Sequence, residues 1–344
     1  MLDERKRKIL QAIINDYVST AEPIGSRTIA RKYDLGVSPA TIRNEMADLE
    51  LLGYLEQLHT SSGRIPSAKG YRFYVDTLLA RPAISDNEIS LISGWYNAKV
   101  RRIEEVFQET ARIISRMTHN ISLVLAPQIS QSSFKYLQFL PMDERRVIVV
   151  IVTDGGFVEN KMIDIPEDTT LEELQRVAEA INRRLSGVSL DSIKSSVLKE
   201  IRKAVVPDSN LFDAALAVLN NVLTIDKKER LYLGGTTQLL SQPEFRDVEK
   251  MKNILLMLEE EQLLCDLLHT QEEDEDGIVV RIGHENTYSG IKDCSMVQAA
   301  YRMDGKIVGT IAVLGPTRME YGKVMALLEF MHSHLGEILK KYKV

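Results

Sequence analysis

The sequence contains very little cysteine. Only two of its 344 residues are cysteines, Cys265 and Cys294, and their separation is not that of a metal-binding motif. The composition therefore supports neither a disulfide framework nor a zinc knuckle, and we expect no metal and no cofactor.

Long hydrophobic runs are also missing. The longest β-like apolar run, Val147 to Val152, is far shorter than the roughly 20 residues needed to cross a bilayer. The stretch Met1 to Lys6 has no apolar signal region. We therefore expect a cytoplasmic protein without membrane contact.

A catalytic constellation cannot be assembled from the sequence either. The acidic run 272–276 resembles a calcium loop, but the twelfth position counted from Glu272 is Gly283, not the glutamate that an EF-hand requires. Such charge runs are usually solvated loops. Gly234 and Gly235 lack the lysine of a phosphate-binding P-loop and are better explained as a structural strand-to-helix turn. We expect no enzyme.

The residues that indicate a function are concentrated between positions 24 and 72. A short helix pattern over Ser26 to Tyr33 is followed by a glycine-containing turn, Asp34 to Val37. A second helix then runs from Ser38 to Gly53, before a strand over Tyr54 to Leu58 and a polar loop. This order predicts a winged helix-turn-helix, whose second helix enters the DNA major groove.

The second helix has clear ends and two different faces. Ser38 is suited to the N-cap, Pro39 to the first helical position, and Gly53 to a C-terminal residue with positive φ. Residues at helical spacing predict a buried stripe: Ile42, Met46, Leu49 and Leu52.

The opposite face carries the candidate DNA contacts of this helix. Arginine and asparagine suit guanine and adenine edges respectively, and alanines let a helix sit deep in a groove. The candidates are Ser38, Ala40, Thr41, Arg43, Asn44 and Ala47, with Asp48 at the margin. A solvated helix face is the alternative for these residues taken alone.

The loop after the strand predicts a wing with a second set of contacts. Thr60, Ser61 and Gly63 are small or polar enough to approach phosphates. Arg64, expected at the loop tip, is of the type that enters minor grooves. A solvated hairpin tip is the alternative reading.

The charge of the chain places a limit on this interpretation. With 43 basic and 49 acidic residues the net charge is −6, although the first 80 residues carry 11 basic and 10 acidic side chains. DNA binding would therefore depend on a few placed cations and not on a general positive field. Candidate phosphate contacts, with a solvated first turn as the alternative, are Arg5, Lys6, Arg7 and Lys8.

The remainder of the chain predicts an α+β fold. Helices are expected over 1–18, 86–118, 248–269 and 321–341. Strand patterns occupy 121–126, 136–140, 147–153, 157–165, 277–283, 297–303 and 307–315. Between the two sets of strands, 169–221 is a helical block, and we interpret it as an insertion.

Several runs resemble the HrcA family of bacterial heat-inducible transcription repressors. These are PIGSRTIA, SPATIRNEMADLE and GYLEQLHTSSGRIPSAKGYRFYVD, with weaker continuations at Leu231 to Gly235 and Gly309 to Pro316 that extend the likeness over essentially the whole chain. Leu58 stands where a proline is expected, which alters entry to the wing but not the groove-facing residues.

The resemblance implies a homodimeric repressor of chaperone operons. It would bind double-stranded DNA at an inverted-repeat operator of the CIRCE type, and the GroE chaperonin would keep it active. It also implies a winged helix-turn-helix domain at 1–80 and a GAF-like α+β core at 86–168 and 247–344. The core would be interrupted by a mainly helical inserted dimerisation domain at 169–246.

A second function remains open at this point. A GAF-like core also suits a metabolite-responsive transcription regulator, because fold alone does not settle function. A polar, ligand-sized cavity between 121–140 and 277–315 would favour that alternative, whereas a filled apolar core would favour the chaperonin-dependent repressor. Dimer contacts are expected from the insertion, in particular from Leu211, Phe212, Ala215, Leu219 and Val222.

Overall fold

The computed structural model consists of an N-terminal head and two separate β-sheets with their own helices. It describes residues 2–57, 63–99, 103–127, 133–143, 145–154, 158–165, 170–190, 193, 230–269, 277–303 and 306–341. Within these residues, no helix is both long and apolar enough to cross a membrane.

The head, residues 2–78, is a winged helix-turn-helix as predicted. Its elements are α1 (Glu4–Thr20), α2 (Ser26–Lys32), α3 (Pro39–Leu51), β1 (Leu55–Glu56), β2 (Ile65–Pro66), α4 (Ala68–Phe73) and a π-helical turn (Tyr74–Leu78). The three helices share one core, in which Ile13, Ile29 and Ile42 are fully buried. Burial of these side chains fixes α3 against α1 and leaves its other face toward solvent.

Two helices lead from the head into the core. They are α5 (Asp86–Lys99) and α6 (Ile103–Thr118), and they occupy the range predicted as one helix. Residues 100–102 lie outside the described part of the chain.

The core contains a five-stranded antiparallel sheet. Its strands are β3 (Ile121–Leu125), β7 (Leu231–Gly234), β8 (Ile278–Ile282), β9 (Cys294–Met303) and β10 (Lys306–Pro316), in the order β7-β3-β10-β9-β8. β3 pairs with β10, Leu125 facing Thr310, so the sheet joins segments that are far apart in sequence.

Helices cover both faces of this sheet. One face packs on α6 and on α10 (Tyr321–Lys341), and the other packs on α8 (Val248–Glu259) and α9 (Glu261–His269). A single helix was predicted over residues 248–269, but the chain leaves the helix at Glu260, so two helices form there.

In the part of the chain that the structure describes, a second antiparallel sheet has three strands, none of which pairs with a strand of the first. It consists of β4 (Phe134–Pro141), β5 (Arg146–Thr153) and β6 (Val158–Asp164), with β5 in the centre. Helix α7 (Leu171–Leu185) packs on its inner face, where the Asn182 side chain both accepts from the Leu137 amide at 2.6 Å and donates to the Leu137 carbonyl at 2.9 Å.

This pairing differs from the grouping of strands expected with boundaries at residues 168 and 246. The strands β4 to β6, assigned to the first part of the core, form their own sheet with α7. Conversely β7, assigned to the insertion, pairs with β3 of the core, Ser122 facing Gly234. Periodicity locates a strand but contains no information about its partner, which explains the difference.

The head is joined to the core by two arginines, one from each side. Arg72 of α4 donates to the Val280 carbonyl at 2.6 Å and to Glu285 at 2.9 Å. Arg318, which follows β10, donates to the Val18 carbonyl at 2.6 Å and to Glu244 at 2.5 Å. Charge-assisted bonds of this kind orient the head relative to the sheet.

Candidate DNA-binding site

The ends of α3 form as the sequence predicts. The Ser38 hydroxyl accepts from the Thr41 amide at 3.1 Å, and Pro39 is the first helical residue. Gly53 has φ of +79° and follows the cap residue Leu52. The helix therefore begins after the predicted N-cap and ends just before the predicted glycine.

The two faces of α3 are separated by burial. Ile42 and Leu49 are fully buried and Met46 is nearly so. The predicted contacts lie together on the other side, Thr41 half-buried and the rest exposed: Ser38, Ala40, Arg43, Asn44 and Ala47. We call these six residues the reading face.

Leu52 is an exception to the predicted buried stripe. It is 47% exposed, because α3 ends at Leu51 and Leu52 already belongs to the turn. The helical period no longer applies beyond the last helical residue.

The wing is built on a two-stranded pair and a close backbone approach. Leu55 pairs with Pro66 and Glu56 with Ile65. A Cβ atom on Gly63 would lie 2.5 Å from the carbonyl carbon and oxygen of Ile24, so this position requires glycine. Thr60 and Ser61 lie outside the described residues.

Arg64 is not at the tip of the wing, which corrects the prediction. Its amide donates to the Ile24 carbonyl at 2.8 Å, and its own carbonyl accepts from the Ile24 amide at 2.9 Å. Its Nε atom lies 2.7 Å from a carboxylate oxygen of Glu50 on α3, and the side chain is 20% exposed. Arg64 therefore anchors the base of the wing to α3.

Lys6 is also engaged within the head. Its Nζ atom lies 2.7 Å from a carboxylate oxygen of Glu45 and 3.1 Å from one of Asp48, both on α3. These carboxylates, Glu45 first, raise the pKa of Lys6 above its ordinary range. Arg5 approaches Glu45 at 3.5 Å, whereas Lys8 pairs with Glu4 at 2.7 Å.

Sequence reasoning therefore missed the carboxylates that hold these cations. Glu45 and Glu50 are far in sequence from Lys6 and Arg64, so spacing could not pair them. A usable signal was the composition of α3 itself, which has one basic residue and three acidic ones.

The Gly234-Gly235 pair is explained by close packing. A Cβ on Gly234 would lie 2.4 Å from the Ala111 carbonyl oxygen, and one on Gly235 would lie 1.6 Å from Ser115 Oγ. Gly235 also has φ of +72°. Both glycines are thus required by contact with α6, which agrees with a structural turn.

Titratable side chains elsewhere in the described residues do not gather into a metal site. Groups of three or more histidine, cysteine, aspartate or glutamate residues suited to a metal are absent from that part of the chain. His334 stacks on Phe330, and burial raises the pKa of the Cys294 thiol to about 12. The acidic run 272–276 lies outside the described residues.

Among the described residues, buried apolar side chains pack against both faces of the five-stranded sheet. Tyr301 and Val313 are buried on one face, and Met296 and Leu314 on the other. The Tyr301 hydroxyl is satisfied by the Leu125 carbonyl at 2.9 Å.

Two family models match the chain. The model described as winged helix-turn-helix transcription repressor, HrcA DNA-binding, matches residues 1–76. The model described as HrcA protein C terminal domain matches residues 104–325. Together they span the head and both sheets.

Curated relatives and a solved structure agree with those models. The chain is 47% identical over 340 residues to a heat-inducible transcription repressor HrcA of Pelotomaculum thermopropionicum, covering 99% of this chain and 97% of the relative. It is 46% identical to that of Desulfitobacterium hafniense, with 98% of each covered. A crystal structure of a hypothetical protein shares the fold, with a TM-score of 0.71, 23% identity and coverage of 99% and 100%.

Proposed function

This chain belongs to the HrcA family of heat-inducible transcription repressors, and from that premise we propose how it binds DNA and assembles. It is a negative regulator of heat-shock transcription with a winged helix-turn-helix. We propose that it acts in the cytoplasm, without catalysis, as a homodimer on an inverted-repeat operator of chaperone operons.

The reading face of α3 is the observation that carries the DNA contact. Arg43 and Asn44 are exposed side by side, opposite the buried Ile42 and Leu49. Alanines at 40 and 47 leave room for the helix backbone to approach a groove. In the major groove, arginine would read guanine and asparagine would read adenine. The wing, through Thr60, Ser61 and Gly63, would approach the neighbouring phosphates.

An inverted-repeat operator requires a two-fold protein. The outer face of the three-stranded sheet supports a second copy as the partner. This outer face consists of Tyr136, Gln138, Leu140, Ile148, Val150, Val152, Val158, Asn160 and Met162. Two of its three cross-strand rows are entirely apolar, and Tyr136, Leu140, Val158 and Met162 are each more than 40% exposed. Exposed apolar patches of this kind mark interaction surfaces.

We assign the dimer contact to an insertion wider at its start than the predicted one. It would run between β3, which ends at Leu125, and β7, which begins at Leu231, and would include the three-stranded sheet and α7. The stripe expected to form the contact, Leu211 to Val222, lies outside the described residues.

Dependence on the GroE chaperonin is supported by the same interruption. β3 must pair with β10 and β7 across the insertion, and such non-local pairing is slow. The apolar residues of β3, all buried in the finished sheet, are exposed until that pairing is complete, which favours aggregation. A chaperonin would then limit the amount of active repressor.

The test of DNA reading is an Arg43→Ala variant. We expect it to lose about 1–3 kcal/mol of binding free energy on the operator and little on random DNA of equal length. Titration by fluorescence anisotropy measures both values. Arg246→Ala, an exposed arginine of the core, is the matched control and should leave both unchanged.

Equal losses on the two DNAs would mean that Arg43 contacts only phosphates. An unchanged operator affinity would contradict the docking of α3. The same titration on protein refolded from denaturant, with and without chaperonin, tests the second half of the proposal. Full unaided recovery, with an affinity that chaperonin does not alter, would rule out dependence on the chaperonin.

A further inference from the structure

The helix that reads DNA carries more negative than positive charge. Between Pro39 and Leu51 it has one basic residue, Arg43, and three acidic ones, Glu45, Asp48 and Glu50. Duplex DNA carries about one negative charge per 1.7 Å of axis. Such a helix would be repelled by the backbone unless its carboxylates were neutralised.

Cations from outside α3 pair with all three carboxylates. Lys6 of α1 bridges Glu45 at 2.7 Å and Asp48 at 3.1 Å, and Arg64 at the base of the wing holds Glu50 at 2.7 Å. The Lys6 side chain is 17% exposed and that of Glu45 is 13% exposed. Little solvent therefore screens the first of these contacts.

Asp48 lies where its charge would matter most. It is one helical turn from Asn44, and residues at i and i+4 are neighbours on the same side of a helix. Its side chain is 55% exposed, at the margin of the reading face. An unpaired carboxylate there would point a full negative charge toward the DNA backbone.

We propose, resting on the DNA-binding function proposed above, that Lys6 and Arg64 are positioning residues that neutralise the carboxylates of α3. They do so instead of binding phosphates themselves. Their effect is to let the reading face enter the DNA groove although the net charge of the protein is −6.

Lys8 is a cation of the same helix that pairs within α1 and not with a carboxylate of α3. Its side chain is 60% exposed and pairs with Glu4, which is 82% exposed. That pair lies within the first turns of α1 and includes no residue of α3. Lys6, two residues earlier, contacts three carboxylates, the third being Asp3 at 3.5 Å.

The test is a double-mutant cycle between Lys6 and Asp48, read as operator affinity over a range of salt concentrations. We expect Lys6→Met to weaken operator binding about five- to tenfold, because Asp48 loses its main partner in partly screened solvent. Lys6→Met with Asp48→Asn should return to within about threefold of the wild-type affinity, since residue 48 then carries no charge and Glu45 keeps Arg5, whose guanidinium lies 3.5 Å from its carboxylate.

Lys6→Met with Glu4→Gln is the matched control. It restores the same net charge at the same end of α1, but leaves Asp48 unpaired. We expect it to remain about as weak as Lys6→Met alone. For the wing, Arg64→Met with Glu50→Gln should likewise bind more tightly than Arg64→Met.

A phosphate contact gives the opposite pattern. The affinity would then stay low in Lys6→Met with Asp48→Asn, and the slope of log K against log salt would become shallower by about 0.9, which would overturn the proposal. If Lys6→Met does not fold, as judged by circular dichroism, the double variant alone decides by the same threefold criterion. A wild-type protein that does not prefer the operator over random DNA would contradict the proposed function itself.

Discussion

The two sheets of this protein are made of similar residues but are covered differently. In the five-stranded sheet, all five residues of β3, Ile121–Leu125, are buried. In the three-stranded sheet, only alternate residues of β5 are buried, although Val147 to Val152 are all β-branched and apolar. Among the described residues, helices close both faces of the first sheet, whereas α7 closes one face of the second. The two sheets therefore differ in how their faces are covered by helices, and not in the kind of residues that form them.

This difference indicates which sheet is complete within one chain. A strand with two apolar faces normally lies between two layers, as parallel or sandwiched strands do. β5 has such a sequence, yet Ile148, Val150 and Val152 remain half-buried on the outer face. A second copy seated there would give β5 the environment that its sequence suits.

The largest expected effect comes from placing a charge at the centre of that outer face. Val150 lies between Gln138 and Asn160 in the middle row. If a second copy covers it, Val150→Lys should weaken dimerisation by about 3–5 kcal/mol, because an unpaired buried charge is expensive. Sedimentation equilibrium measures the dissociation constant directly.

The control places the same residue on a surface of the core. Leu240 is 73% exposed, so Leu240→Lys should leave the dissociation constant unchanged. A Val150→Lys protein that is as dimeric as the wild type would show that the outer face is not the contact, and the comparison of the two sheets would need another explanation.

Strand positions were readable from the sequence, but sheet membership was not. Apolar runs bounded by turns located β3 through β6 and β8 through β10 to within a few residues. Nothing in them states that Leu125 pairs with Thr310 while Phe139 pairs with Val149. Pairing depends on the path of the whole chain, so the strand positions could be predicted from the sequence whereas the sheet to which each strand belongs could not.

The second prediction compares the same substitution in both sheets. Leu123 of β3 is fully buried and Leu140 of β4 is 43% exposed. Leu123→Ala should lower the free energy of unfolding by about 2–5 kcal/mol, through lost burial and a cavity. Leu140→Ala should cost less than about 1 kcal/mol when the protein is dilute enough to be monomeric.

Urea denaturation at two protein concentrations measures both costs. If the outer face is a dimer contact, the cost of Leu140→Ala should rise with concentration, because dimerisation adds to stability by mass action. The cost of Leu123→Ala should stay the same. Similar costs for the two variants in dilute solution would mean that the sheets do not differ in cover as described.

The reading face could be predicted from helical periodicity, whereas the position of Arg64 in the wing could not. Residues of one helix share a period, so burial of Ile42 and Leu49 places Arg43 and Asn44 on the exposed side. Arg64 depends instead on contacts with α3 and with Ile24, which are made by tertiary packing. No local pattern contains those contacts, and a loop tip was the wrong inference.

The smallest expected effect concerns the helix that covers the three-stranded sheet. α7 begins with a capping box, in which the Thr170 hydroxyl accepts from the Glu173 amide at 3.2 Å and Glu173 accepts from the Thr170 amide at 2.9 Å. Thr170→Ala should weaken α7 by about 1 kcal/mol. Because Asn182 of α7 holds Leu137, amide exchange in β4 should become faster while exchange in β3 does not change.

A matched cap tests whether that effect is local. Ser85 and Glu88 make the equivalent contacts at the start of α5, so Ser85→Ala should leave β4 unaffected.

The Thr170 amide, followed by its hydroxyl, lowers the pKa of Glu173. The box is therefore intact above the ordinary carboxylate pKa and is lost as pH falls through the lowered value. Acid should thus loosen β4 in the wild type, and less so in Thr170→Ala. Equal acceleration of β3 and β4 by Thr170→Ala would mean that the two sheets unfold as one unit.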